Sequence, residues 1–113
     1  MATTTITGDR LRVALTTSEK VAGLLRDVDV PLTAVREARV EPDALGAVRG
    51  IRAPGFAIPG RTKIGTWRRR GHRTVVVVRS GVPALRVLLA GAGPDELLVS
   101  TPDAAALARE LAA

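Results

Sequence analysis

The sequence predicts a mainly β fold of the α+β kind: a bent antiparallel sheet or partly open barrel, covered by a C-terminal helix. Three observations carry this. Short apolar runs recur between Gly- and Pro-bearing turns, as in Arg10–Leu15, Thr74–Val78, Leu85–Leu89 and Glu96–Ser100. Helical spacing is confined to a short piece after the first strand and to the end of the chain. The chain has 113 residues and no cysteine, so one domain spanning 1–113 must rest on packing, without disulfides, thiolate metal sites or a cysteine nucleophile.

In chain order, Leu11, Val13 and Leu15 alternate with Arg10, Arg12 and Ala14, which describes a half-buried strand; Thr3 to Thr7 can form a short partner across the Gly8-Asp9 turn region. Thr16 with Glu19 has the form of a capping box. Val21, Leu24 and Leu25 then recur at helical spacing, giving a short amphipathic helix to about Arg26, weakened by Gly23. Val28–Leu32 and Val35–Val40 read as strand pieces, with Pro31 at a start, edge or bulge. Pro42 to Leu45 reads as a helical turn or loop.

The stretch from Arg49 to Trp67 holds the only Phe and the only Trp, with two Pro-Gly pairs, Pro54-Gly55 and Pro59-Gly60. Pro presets φ for the second position of a turn and Gly accepts the positive φ of a type II turn, so a structured loop with two reversals is expected. Thr62–Arg69 follows as a strand. Ile64 and Trp67 fall on opposite faces by parity, and a bulge at Gly65 is expected to bring them together; Trp67 is expected to pack in the core. Arg70-Gly71 turns the chain into Thr74–Val78, apolar on both faces and therefore central. Ser80-Gly81 and Gly91–Asp95 separate the last strands. Thr101 caps a final helix, Pro102 and Asp103 suit its first turn, and Ala104, Leu107, Ala108 and Leu111 form its apolar face.

Charge is unevenly placed. Between Ala44 and Pro94 every charged residue is basic: Arg49, Arg52, Arg61, Lys63, Arg68, Arg69, Arg70, Arg73, Arg79 and Arg86. This block carries +10, leaving −4 for the flanks of a chain with net charge +6. Such asymmetry favours an anionic partner. An Arg- and Ala-rich chain with only Lys20 and Lys63 also arises from coding bias, so charge alone names no partner. Arg68, Arg69 and Arg70, with Arg73 across the turn, are the densest cluster and the candidate anion or partner surface; a solvated hairpin tip is the simpler reading of the same residues. His72, the only His, reads as a solvated turn residue, since no partner for a metal site or triad is marked. The acidic residues read as solvating and capping, with no marked acid/base pair. The Pro-Gly stretch matches neither GxGxxG nor a P-loop, and its prolines remove N–H groups that a phosphate cradle needs.

Leu15–Lys20, Val30–Val35, Arg49–Gly55, Ile58–Gly60, Gly65-Thr66 and Leu98–Asp103 together resemble the bacterial pleckstrin-homology-like (PH-like) domains, in particular a group of small actinobacterial proteins of unknown function. The resemblance implies a bent sheet of about seven strands capped by the C-terminal helix, with no catalytic residues to carry over. The lipid-headgroup motif of eukaryotic relatives is a spaced basic pattern in an early hairpin; this chain offers only Arg10, Arg12 and a distant Lys20 there. Fold alone does not transfer function.

The expected function is a non-enzymatic PH-like interaction module that binds a protein or itself through sheet edges and the Pro-Gly stretch. The first alternative is a peripheral binder of anionic membrane lipids through the basic hairpin, and the second a nucleic-acid binder. One Trp and no Tyr make a poor stacking platform, so nucleic acid is the weaker partner. No cofactor, metal or small-molecule substrate is implied. With no apolar run of spanning length and no basic-then-apolar leader at Met1–Ile6, the chain is expected in the cytoplasm, peripheral at the membrane under the lipid reading.

Overall fold

The computed structural model describes residues 2–112, with Met1 and Ala113 outside the described residues. Half of the described chain is strand, and the described residues include two helices. Strands β1 (Thr3–Thr7), β2 (Arg10–Ala14) and β3 (Val28–Pro31) form an antiparallel sheet in that order, with helix α1 (Thr17–Gly23) inserted between β2 and β3. A 3-10 turn, Leu32–Ala34, leads into the second sheet. That sheet contains β4 (Val35–Glu41), β5 (Ile51–Ile58), β6 (Thr62–Arg69), β7 (His72–Arg79), β8 (Ala84–Leu89) and β9 (Glu96–Ser100), in the order β4-β8-β9-β7-β6-β5. Helix α2 (Ala104–Ala112) lies along β4 and β8.

The mainly β class, both helices and the Thr16–Glu19 capping box match the sequence reading. Other features differ. The described residues form nine strands in two open sheets rather than about seven in one bent sheet or barrel. Leu11, Val13 and Val30 of the small sheet pack face to face on Ile64, Val77, Val87, Leu97 and Val99 of the large one, so separate sheets bury the apolar alternation that a bent sheet was expected to enclose. The large sheet is not wholly antiparallel: β9 slots between β7 and β8 and runs parallel to β7. Every residue of β9 is buried, and a strand apolar on both sides belongs at the centre of a sheet whatever its place in the chain.

The Pro-Gly stretch is mostly a strand, not a loop with two reversals. Pro59-Gly60 does form the expected turn, with Arg61 N–H donating to Ile58 O at 3.0 Å and Gly60 at φ +73°. Pro54-Gly55 instead sits at a bulge inside β5, because the register passes from Arg52↔Trp67 to Gly55↔Gly65 with one extra residue on β5. A proline is tolerated there because β5 is the sheet edge. The expected bulge at Gly65 therefore lies across the ladder, on β5, while β6–β7 pairing is unbroken from Thr62↔Arg79 to Arg69↔His72. Gly65 is required for a different reason. It has φ +147°, and a Cβ there would lie 2.5 Å from Gly55 Cα and Pro54 O.

Strict alternation on β6 leaves Ile64 and Trp67 on opposite faces, and both are buried. Ile64 joins the core between the sheets. Trp67 packs with Val76, Val78, Ala84 and Leu98 beneath Ala44 and Ala47 of the turn following β4. That turn is helix-like, with Ala47 N–H donating to Asp43 O at 3.0 Å.

Of the apolar residues assigned to the face of α1, only Leu25, just past the helix, packs, partly buried against the inter-sheet core. Val21 and Leu24 are exposed, while Glu19 and Gly23 are buried. The Glu19 carboxylate closes the capping box on Thr16 N–H at 2.9 Å and also accepts from Ala2 N–H at 3.1 Å, with Arg79 Nη2 at 3.5 Å. These partners turn Glu19 inward. Gly23 lets the helix approach β6 so closely that an added Cβ would stand 2.7 Å from Ile64 Cγ2. On α2, Ala104 is buried and Leu107, Ala108 and Leu111 are partly buried against the inter-sheet core, as their spacing predicts. With no barrel mouth to plug, the helix covers the β4 side of the large sheet. No helix among the described residues is long and apolar enough to cross a membrane.

Candidate functional site

The β6–β7 hairpin pairs Arg68 with Arg73 and Arg69 with His72, and Arg70-Gly71 makes the turn. Alternation sends Arg68 and Arg73 to the face that meets the small sheet, and Arg69 and His72 to the opposite face. The segment before β9 holds the tip in place: Arg73 N–H donates to Asp95 Oδ2 at 2.8 Å, and Asp95 N–H donates to Arg73 O at 2.9 Å. Together with Ile51 and Gly93, these residues line an open cleft of about 630 Å³. All four arginines singled out from the sequence therefore meet at one cleft, where Asp95 is the single lining carboxylate. Among the described residues, Arg70 and Arg73 form no ion pair. A second cleft of about 400 Å³ lies on the other side of Arg68 and Arg73, walled by Leu24–Val30, Thr66, Val75, Ala92 and Pro94. Asp27 at its rim is held below the ordinary carboxylate value, first by the Leu15 N–H that donates to it at 2.8 Å and then by Lys20.

His72 is not simply solvated. Its Nε2 lies 2.9 Å from Glu96 Oε1, and it is partly buried. Glu96 is only 3% exposed and also accepts from Arg86 Nη1 at 2.8 Å, while Arg69 Nη2 stands 4.0 Å away. Arg86, 5% exposed, donates through Nη2 to Ala47 O at 2.7 Å. Its Nε lies 2.9 Å from Glu41 Oε1 without the alignment of a hydrogen bond, and Glu41 meets Arg39 at 3.3 Å. This chain of charges crosses β4, β8, β9 and the hairpin beside Trp67, and it pins the turn after β4 to the sheet. From the sequence alone these acidic groups read as solvating and capping. The one available signal was parity: Glu96 shares a face with Leu98 on a strand whose middle, Leu97–Val99, is apolar.

The third feature is the edge strand β5. Val21, Leu24, Ile51, Phe56 and Ile58 make up the exposed large apolar residues among those described. Three are on β5, Val21 is on α1 and Leu24 is its C-cap, and α1 packs against β5 and β6. Phe56 is opposite Ile64, Ile58 opposite Thr62 and Ile51 opposite Arg68, so all three lie toward the face that carries α1. Ile51, 76% exposed, ends the edge at the rim of the basic cleft. An exposed ladder edge, an apolar border and a cationic cleft at one end form a surface that can take an extended chain or an anionic group.

No protein-family model, curated protein or solved structure matches this chain.

Proposed function

We propose that the chain is a non-enzymatic interaction module that binds a protein partner through the β5 edge, the PH-like reading carried over to this surface. One observation carries the proposal: the exposed large apolar residues gather on β5 and on the helix packed against it with its C-cap. Scattered singly they would need no explanation, but a group along an unpaired strand edge is what strand addition uses. The test is selection from a random peptide display library on the wild-type protein, followed by affinity measurement on Phe56→Ser/Ile58→Ser. Selected peptides should lose at least about tenfold in affinity on the variant, as expected when apolar anchors are removed. Peptides that bind both proteins equally would overturn the proposal.

A second reading, binding to anionic membranes, draws support from Ile51 standing exposed beside Arg68, Arg69 and Arg70 at the hairpin tip. Basic groups near a charged surface act together and weaken with salt. Co-sedimentation with anionic vesicles that weakens as salt rises and disappears in Arg68→Gln/Arg69→Gln/Arg70→Gln would favour it; salt-independent binding, or none, would remove it.

A further inference from the structure

We infer that the partner at the β5 edge is an extended acidic segment that runs antiparallel to β5, with its acidic residues following the paired stretch and entering the Arg68–Arg73 cleft. This rests on the strand-addition reading and goes beyond it by fixing the partner's charge and direction. Charge sets the partner's chemistry. Arg49 and Arg61 flank β5, Arg52 lies within it, and no acidic residue occurs between Asp43 and Asp95. A second copy would bring these arginines against their own kind, whereas an acidic strand complements them.

Direction follows from where the cleft lies. β5 runs from Ile51 to Ile58, and the cleft is at the Ile51 end. Antiparallel pairing is the more stable ladder per residue and continues the pattern of β5 on β6. A strand added that way has its later residues at Ile51. Pro54 offers no N–H and sits in the bulge, so regular pairing is confined to Gly55–Ile58. At about 3.4 Å per residue, the cleft lies about 14 Å beyond Gly55, so the acidic residues come about four positions after the paired stretch. There Arg70 and Arg73, which have no ion pair among the described residues, face them. The lone lining carboxylate, Asp95, is engaged by the Arg73 N–H.

The test uses fluorescein-labelled synthetic peptides on the full chain, read by anisotropy. One peptide alternates valine and threonine and ends in a run of glutamates; the second places the glutamates first; the third carries N-methyl groups on alternate residues of the Val-Thr stretch, which removes ladder donors without altering the protein. The glutamate-last peptide should bind about tenfold more tightly than the glutamate-first one, the sum of a few exposed Arg–carboxylate pairs. Arg70→Gln/Arg73→Gln should erase that difference, and N-methylation should abolish binding. Equal binding of the two orders, with loss on N-methylation, would overturn this inference and leave strand addition standing. Undiminished binding of the N-methylated peptide, or no binding of any peptide, would overturn both. A dimer seen by light scattering, broken by Phe56→Ser/Ile58→Ser and not by the glutamate-last peptide, would show that a second copy occupies the edge and would also overturn the inference.

Discussion

Glu96→Gln should be among the most damaging single substitutions available to this chain, although it changes almost no volume. Glu96 and Arg86 are 3% and 5% exposed and meet at 2.8 Å. Removing one charge from a buried pair leaves the other uncompensated, at a cost of about 3–5 kcal/mol. After Glu96→Gln, Arg86 keeps Ala47 O at 2.7 Å and Glu41 at 2.9 Å, which puts the loss near the lower end, about 3 kcal/mol. Arg86→Met leaves Glu96 with His72 and the more distant Arg69, and also frees the turn at Ala47, so the loss should be nearer 4 kcal/mol, roughly. Arg86→Met/Glu96→Gln removes both charges and should cost well below the sum of the two single losses, because with one charge gone the loss of the other no longer leaves a buried charge uncompensated. Urea unfolding followed by Trp67 fluorescence, extrapolated linearly, reads all three. A Glu96→Gln loss under about 0.5 kcal/mol, or strict additivity of the two single substitutions, would show that the buried Arg86–Glu96 pair is not what holds this region.

Gly65→Ala should cost about 2–6 kcal/mol, combining strain at φ +147° with a Cβ forced against the β5 backbone, and should be visible in the same urea titration. Arg68→Gln/Arg69→Gln/Arg70→Gln should leave the fold intact, with a thermal midpoint within a few degrees of wild type, since exposed positions each shift stability by about 0.5 kcal/mol or less. Asp27 has its pKa lowered by the Leu15 N–H and by Lys20, so it adds stability above the ordinary carboxylate value of 3.8, and that stability is lost as pH falls through the lower folded value. Thermal midpoints measured from neutral to strongly acid pH should therefore fall more steeply for wild type than for Asp27→Asn.

The elements most legible in the sequence were those where local chemistry and burial agree. Thr16 and Glu19 form the capping box, Pro59-Gly60 makes the turn, Val76–Val78 occupy the sheet interior, and Thr101 accepts from Asp103 N–H at 3.2 Å before α2. The four arginines of the cleft were also legible, because a tight hairpin brings near neighbours together. β5 was not, since Pro54-Gly55 signals a turn wherever the chain is not a sheet edge, and edge status depends on strand order. That order is non-local: nothing in Glu96–Ser100 says that it will slip between β7 and β8 rather than beside β8 alone. The same non-locality hid the buried charges. Glu19 answers to Arg79 and Ala2, and Glu96 to Arg86 and His72, partners supplied by other strands or by the chain's first residues.

The claim that β5 is the binding edge can be tested most directly by amide hydrogen exchange, residue by residue, with and without saturating glutamate-last peptide. Added ladder bonds slow exchange only where they form. Exchange should slow along Gly55–Ile58, with changes in the Arg68–Arg73 tip at the end of the bound strand. Unchanged β5 amides, with slowing instead along β1, β3 or β4, would contradict it.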